Sequence, residues 1–383
     1  MPVVLGLDSL GSSGQLSGQR IGLVCNQASV NRHLQHAAEV LTDAGARLTA
    51  LFGPQHGIRS DRQDNMVETP HGHDLAHAVP VYSLYSETRT PTAEMLKGVD
   101  RLVIDLPDVG TRVYTYAYTM ANCLRACREH GVPVMVTDRP NPIGGVAVEG
   151  PVLEPAWTSF VGQFPIPLRH GLTIGELAKL FNREFGIGAE LEIVPMTGWS
   201  RVMYFDDTEL PWVLPSPNLP SLESLIVYPG MVLLEGTNLS EGRGTTRPFE
   251  VFGAPWLDGE RLAAHLNDIG LPGVRFRPVG FEPTFQKYSG TACGGCEIHV
   301  LDRKQYRAVR TALAILEACR NADPGRFEWK QPPYEYEHDR MPIDLLWGSD
   351  RLRTSLDAGG SAADAHAKDL DDFLELRERY LLY

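Results

Sequence analysis

RLTALFGPQHGIRSDRQDNMVE, from Arg47 to Glu68, is the stretch on which the fold turns. Its first six residues, Arg47 to Phe52, form a short apolar run of strand length. The run breaks at Gly53-Pro54, because Pro54 has no N–H for a sheet ladder and Gly57 opens backbone angles closed to other residues. Beyond the break, functional groups crowd together: Gln55, His56, Arg59, Asp61, Arg62, Asp64 and Glu68. Solubility alone does not ask for two arginines, three carboxylates and an imidazole in fourteen positions. A strand that runs straight into such a loop predicts an α/β sheet with its chemistry at the carboxyl edge.

Similar strands lie on both sides of this one. RIGLVCN (Arg20 to Asn26), VPVYSLY (Val79 to Tyr85), RLVIDL (Arg101 to Leu106) and VPVMVTD (Val132 to Asp138) are apolar runs. Helical patterns separate them at HLQHAAEVLTDAG, briefly at PTAEMLKGV, and at YTYAYTMANCLRACREHG. Strands spaced by helices predict βαβ units, hence a Rossmann-like, mostly parallel sheet of the α/β class. Polar groups follow every strand: Asn26 and Gln27, Gln55 and His56, Glu87 and Arg89, Asp108 and Arg112, then Asp138, Arg139 and Asn141. Such convergence at one edge is the fold-level argument for a site.

From Gly150 to Gly171 the chain is irregular and proline-rich. TIGELAKLFNREFG then reads as a helix with Thr173 and Glu176 at capping-box spacing, and LEIVPM as a further strand. A second polar cluster, EGTNLSEGRGTTRPFE, spans Glu235 to Glu250 and offers Asn238, Glu241, Arg243 and Thr245 beside three glycines. After it the texture becomes that of a small α+β unit. The expected division is a Rossmann-like catalytic domain over 1–248 and an auxiliary domain over 249–383.

Composition narrows the function. The chain has 383 residues, 43% of them hydrophobic, and a formal net charge of −13. That charge, with no basic run, argues against a nucleic-acid partner. No stretch reaches the length of a membrane span, and the first residues lack the pattern of a signal peptide. Six thinly spread cysteines require no disulfides, so a cytoplasmic home is expected. No glycine-rich phosphate loop and no G-x-S-x-G elbow occurs, so neither a nucleotide cofactor nor a serine hydrolase is supported. Cys293 and Cys296 lack a second ligand pair and read as a turn; His71, His73 and His77 read as surface residues, and no metal is expected.

What remains is a cleft of carboxylates, arginines and amides, groups that recognise sugar hydroxyls and amides. Glycoside cleavage needs two positioned carboxyls, one protonated and one not. A non-catalytic amino-sugar-binding protein would share this composition. A metal-dependent hydrolase built on His56, Asp108 and Asp138 is a third reading.

Taken together, GPQHGIRSDRQDN, PVYSLYSETRTPT, DLPDVGTRVYTY, TDRPNPIGG, SPNLP and EGTNLSEGRGTTRPFE resemble the exo-acting β-N-acetylmuramidases of bacterial peptidoglycan turnover. The resemblance spans nearly the whole chain. It implies a Rossmann-like catalytic domain with a smaller C-terminal one, and release of N-acetylmuramic acid from non-reducing ends of peptidoglycan-derived saccharides. Where many members of the family read Pro-Glu-His-Gly, this chain has Pro54-Gln55-His56-Gly57. An amide cannot exchange a proton as a carboxyl does, so the general acid is sought at Glu68 or Glu241. Asp108 is the expected second carboxylate, and His56 and Gln55 are expected to hold the sugar. Arg59, Arg112 and Arg243 are candidates for a lactyl carboxylate, which a guanidinium pairs in a bidentate fork. Tyr114, Asp138, Asn141 and Asn238 complete the expected contacts.

Overall fold

The computed structural model describes residues 2–63, 66–365 and 370–383. Behind Gly6–Ser13 (α1), the chain enters Arg20–Cys25 (β1), which is buried at every residue after the first. A strand buried on both faces is a central strand, which is why its sequence is a continuous apolar run. Ala37–Asp43 (α2) leads to Arg47–Gly53 (β2), and Gly72–Asp74 (β3) to Val79–Ser83 (β4). Then come Arg101–Asp105 (β5), Tyr116–His130 (α3), Val134–Thr137 (β6), Glu149–Val152 (β7), Pro167–Arg169 (β8), Ile174–Arg183 (α4) and Leu191–Val194 (β9).

Seven of these strands form one sheet in the order β3-β4-β2-β1-β5-β6-β9. All neighbours are parallel except β3, which runs antiparallel to β4. The chain winds outward from β1 through β2 to β4, then restarts at β5 and winds the other way. The crevice between β1 and β5 is therefore a switch point, where loops on opposite sides diverge and leave room for a ligand. α1 and α2 pack on one face around Leu7, Leu41 and Leu51, while α3 and α4 cover the other through Met120, Leu124, Leu177 and Phe181.

Local signals account for the helix ends. Thr173 Oγ1 accepts from the Glu176 N–H, and Glu176 returns the bond to the Thr173 N–H, so α4 opens on the capping box its sequence announces. α3 closes on Gly131, left-handed at φ 67°. The brief helix expected at PTAEMLKGV is a run of turns over 93–98, and the proline-rich stretch after Glu149 contains the antiparallel pair β7 and β8.

The second half begins with Leu222–Met231 (α5), followed by Val251–Ala254 (β10), Gly259–Asp268 (α6), Val274–Phe281 (β11), Cys293–Val300 (β12) and Ala308–Ala322 (α7). Its antiparallel sheet has the order β10-β12-β11. Cys293 and Cys296 lie within β12 rather than in a turn, and both are buried free thiols. α5 lies tight against α7: a Cβ on Gly230 would stand 2.1 Å from the Ala308 carbonyl oxygen, so only glycine fits there. Pro342–Trp347 (α8), Arg351–Asp357 (α9) and Leu370–Glu378 (α10) close the chain. No helix among the described residues is long and apolar enough to cross a membrane.

Candidate active site

The loop after β2 turns back sharply. His56 has φ 70° and Gly57 φ 81°, so a non-glycine residue sits in the left-handed region beside a glycine. Such a conformation costs free energy and persists only where its surroundings fix it. Here the imidazole fixes it: His56 Nδ1 lies 2.7 Å from the Arg62 carbonyl oxygen and donates to it. Nε2 is then an acceptor. Burial holds the ring's pKa down at about 4, so His56 is neutral at physiological pH.

Gln55 is buried and fixed at both ends. Its carbonyl oxygen accepts from Thr115 Oγ1 at 2.7 Å, and its Nε2 donates toward Tyr85 Oη at 3.2 Å and Glu335 Oε1 at 3.3 Å. Tyr116, at the start of α3, shares its hydroxyl proton between the carbonyls of Gln55 and Pro215. Gln55, His56, Tyr114, Thr115 and Tyr116 form the sheet side of a pocket whose far wall is Tyr228, Glu235, Arg243, Phe249, Tyr334 and Glu335. Both halves of the chain therefore build one site.

The far wall is a charge network. Arg243 Nη1 meets Glu235 Oε1 at 2.6 Å and Glu241 Oε1 at 3.1 Å, and Lys287 Nζ meets Glu241 Oε2 at 2.9 Å. Tyr334 Oη donates to Glu235 Oε2 at 2.8 Å. Burial pushes the Glu241 carboxyl up, but Lys287 and Arg243 outweigh it and hold it at about 2. Glu335 is paired with no such cation among the described residues. Burial, helped by the charge of Glu235, lifts its pKa to about 7 against the hydrogen bonds from Tyr85 and Gln55.

The structure brings Gln55, His56, Tyr114 and Arg243 together and places the other sequence candidates elsewhere. Glu68 is exposed and faces Arg89 at 3.6 Å; Arg59 is exposed as well. Glu241 sits behind Arg243 as an ionised partner, which is unsuitable for giving up a proton. Asp108 braces the turn after β5: its Oδ2 accepts from the Gly110 N–H at 2.7 Å and faces His170 Nε2 at 3.3 Å. It borders a neighbouring, mainly apolar pocket with Phe205 and Trp212. Arg112 is wholly buried and donates to the carbonyls of Pro151, Ile166, Leu346 and Trp347, leaving no fork for a ligand. Asp138 accepts from Thr173, Gly175 and Tyr383 at the N-terminus of α4. Asn141 bonds Leu172 and Ile143, and Asn238 bonds Arg326 and Glu328. His56, Asp108 and Asp138 thus serve three separate networks and do not share a metal position. Asp64 lies outside the described residues.

Two pocket carboxyls escaped the sequence reading. Glu235 stands at the edge of the quoted cluster, at the end of an apolar run. Glu335 lies in PPYEYEHDR, which has neither helical nor alternating pattern, and nothing in that string signals burial.

Residues 21–223 match the family model described as exo-beta-N-acetylmuramidase NamZ, N-terminal, and residues 226–383 match its C-terminal counterpart. A curated relative, peptidoglycan beta-N-acetylmuramidase NamZ of Bacillus subtilis (strain 168), is 49% identical over 373 residues, 96% of this chain and 88% of the relative. Two crystal structures of DUF1343 family proteins from Bacteroides fragilis are similar throughout. One has a TM-score of 0.89 at 35% identity and the other 0.76 at 27%, each covering 100% of this chain and 99% of its own.

Proposed function

The chain belongs to the exo-β-N-acetylmuramidase family, and from that premise we propose that its pocket hydrolyses the glycosidic bond of a non-reducing terminal N-acetylmuramic acid in peptidoglycan-derived saccharides. The observation that carries this reading is the pocket between the two halves, where Gln55, His56, Glu235, Arg243 and Glu335 face one another at the carboxyl edge of the sheet. In this reading the aromatic rings of Tyr114, Tyr228 and Phe249 flank the sugar. The neutral His56 accepts at Nε2 from a sugar hydroxyl or the N-acetyl N–H. Arg243 keeps its Nε free of any partner among the described residues and is the group for the lactyl carboxylate. Glu235, paired with Arg243 and accepting from Tyr334 Oη, is the carboxyl placed to steady positive charge that develops at the anomeric carbon.

We assign to 1–248 the sheet side of the site together with Tyr228, Glu235 and Arg243 of the facing wall, and to 249–383 its closure, since Phe249, Tyr334 and Glu335 come from the second part. A cytoplasmic role on imported fragments is supported by six buried, unbridged cysteines. The test uses chromogenic N-acetylmuramide and N-acetylglucosaminide. Chromophore release from the muramide well above that from the glucosaminide is expected, and an absence of release from both would overturn the proposal.

A further inference from the structure

The geometry points to Glu335 as the acid that protonates the leaving oxygen, an inference that rests on the glycosidase reading above.

Position comes first. Tyr334 and Glu337 exchange backbone hydrogen bonds, closing a tight turn in which Glu335 has φ 45° and Tyr336 φ 70°. Two successive non-glycine residues in the left-handed region are costly, and they persist only under outside restraint. The restraints lie on both sides of the turn. Tyr334 is bonded to Glu235, and Arg89 stacks 3.8 Å from the centre of the Tyr336 ring. The result aims a glutamate into the pocket from a stretch that would otherwise face water.

Its partners decide the role. Glu235 and Glu241 are each paired with Arg243, and Glu241 also with Lys287, whose charges hold the Glu241 carboxyl ionised. Among the described residues, the Glu335 carboxyl is hydrogen-bonded only by uncharged donors, Tyr85 Oη at 2.9 Å and the Gln55 amide at 3.3 Å. Arg243 acts on it only at longer range and is already engaged by two carboxylates. A pKa near 7 follows, which is where a general acid works best at neutral pH. The amide at Gln55 then has a clear part. It orients the Glu335 carboxyl without competing for its proton.

The step balances. The Glu335 O–H gives its proton to the glycosidic oxygen as the C1–O bond breaks, and that bond's electron pair leaves with the oxygen, so the aglycone departs as an alcohol. Water adds its oxygen to C1 and releases one proton to bulk water, from which Glu335 is recharged. Tyr85 is a positioning residue, since its hydrogen bond favours the ionised carboxyl.

Wild type, Glu335→Gln and Tyr85→Phe are compared on an N-acetylmuramyl disaccharide and on the p-nitrophenyl muramide. Glu335→Gln should lower kcat/KM on the disaccharide by ~10²–10⁴-fold with little change in KM. The loss should be much smaller on the p-nitrophenyl substrate, whose leaving group needs little protonation. The alkaline limb of the pH–rate profile should vanish. Tyr85→Phe should move that limb to higher pH, and it decides the matter if Glu335→Gln fails to fold. An active wild type whose alkaline limb is unmoved in the folded variants would overturn the role of Glu335 alone. A wild type inactive on every amino-sugar glycoside would overturn the underlying reading instead.

Discussion

At the scale of single residues, the site was legible where chemistry and strand ends coincide. Gln55 and His56 follow β2, and Arg243 lies in a glycine-rich cluster, so both signals are local. Glu335 is 280 residues from Gln55 in sequence yet hydrogen-bonded to it, and only tertiary packing creates that meeting. Arg112 misled for the opposite reason, because an arginine beside a strand end looks the same whether it awaits a ligand or four carbonyls. Gln55→Glu tests the pairing with Glu335. Two carboxyls about 3.3 Å apart cannot both ionise freely, so one pKa rises and the alkaline limb of kcat/KM should move upward. A downward shift would mean that the two groups do not share a proton. Arg243→Met should cost about 3–5 kcal/mol in urea denaturation, because it leaves the buried Glu235 without its cation. A loss below 1 kcal/mol would show that Lys287 or water replaces it.

At the scale of elements, the parallel strands were readable because burial on both faces demands continuous apolar runs, and β1, β2 and β5 obey this. Pattern fails for β7, whose Gly150 and Pro151 suit a loop and whose pairing with β8 depends on contacts across the chain. Asp138 shows how an element can capture a residue that resembles a catalytic one. It follows β6 at the functional edge, but the first turn of α4 packs against it, and its carboxylate accepts from the Gly175 N–H and the Thr173 hydroxyl. Asp138→Ala should therefore destabilise the fold by roughly 1–3 kcal/mol through lost hydrogen bonds, with kcat/KM of the folded protein nearly unchanged. Chemical denaturation and steady-state kinetics on one preparation check this. Full stability with a large rate loss would return Asp138 to the site.

At the scale of the molecule, the two halves share one core and one pocket. Leu225 and Met231 of α5 pack in the same cluster as Ala312 and Leu316 of α7 and Leu177 and Phe181 of α4. The change of texture near Phe249 marks a new sheet, whereas the core runs on without a break. Glu335 ties the halves across the pocket, and its titration should be visible in global stability. Its pKa is about 7 in the folded chain against an ordinary 4.5. Below pH 4 both states hold the proton, and the group costs nothing. As pH rises through 4.5 the unfolded chain ionises while the folded one does not, so folding loses ground until the buried carboxyl ionises near pH 7. The loss is about 3 kcal/mol, at roughly 1.4 kcal/mol per unit of displacement. His56 works in the opposite sense: its pKa of about 4 lies below the ordinary 6.5, so its contribution is lost as pH falls from 6.5 through 4. The His56 term is common to wild type and Glu335→Gln, so it cancels in their difference. Urea midpoints at pH 4 to 8 should therefore show wild type losing about 3 kcal/mol relative to Glu335→Gln, with most of the change between pH 4.5 and 7. Parallel curves over that range would mean that Glu335 is solvated in the folded protein, and the pocket would then hold no neutral carboxyl at physiological pH.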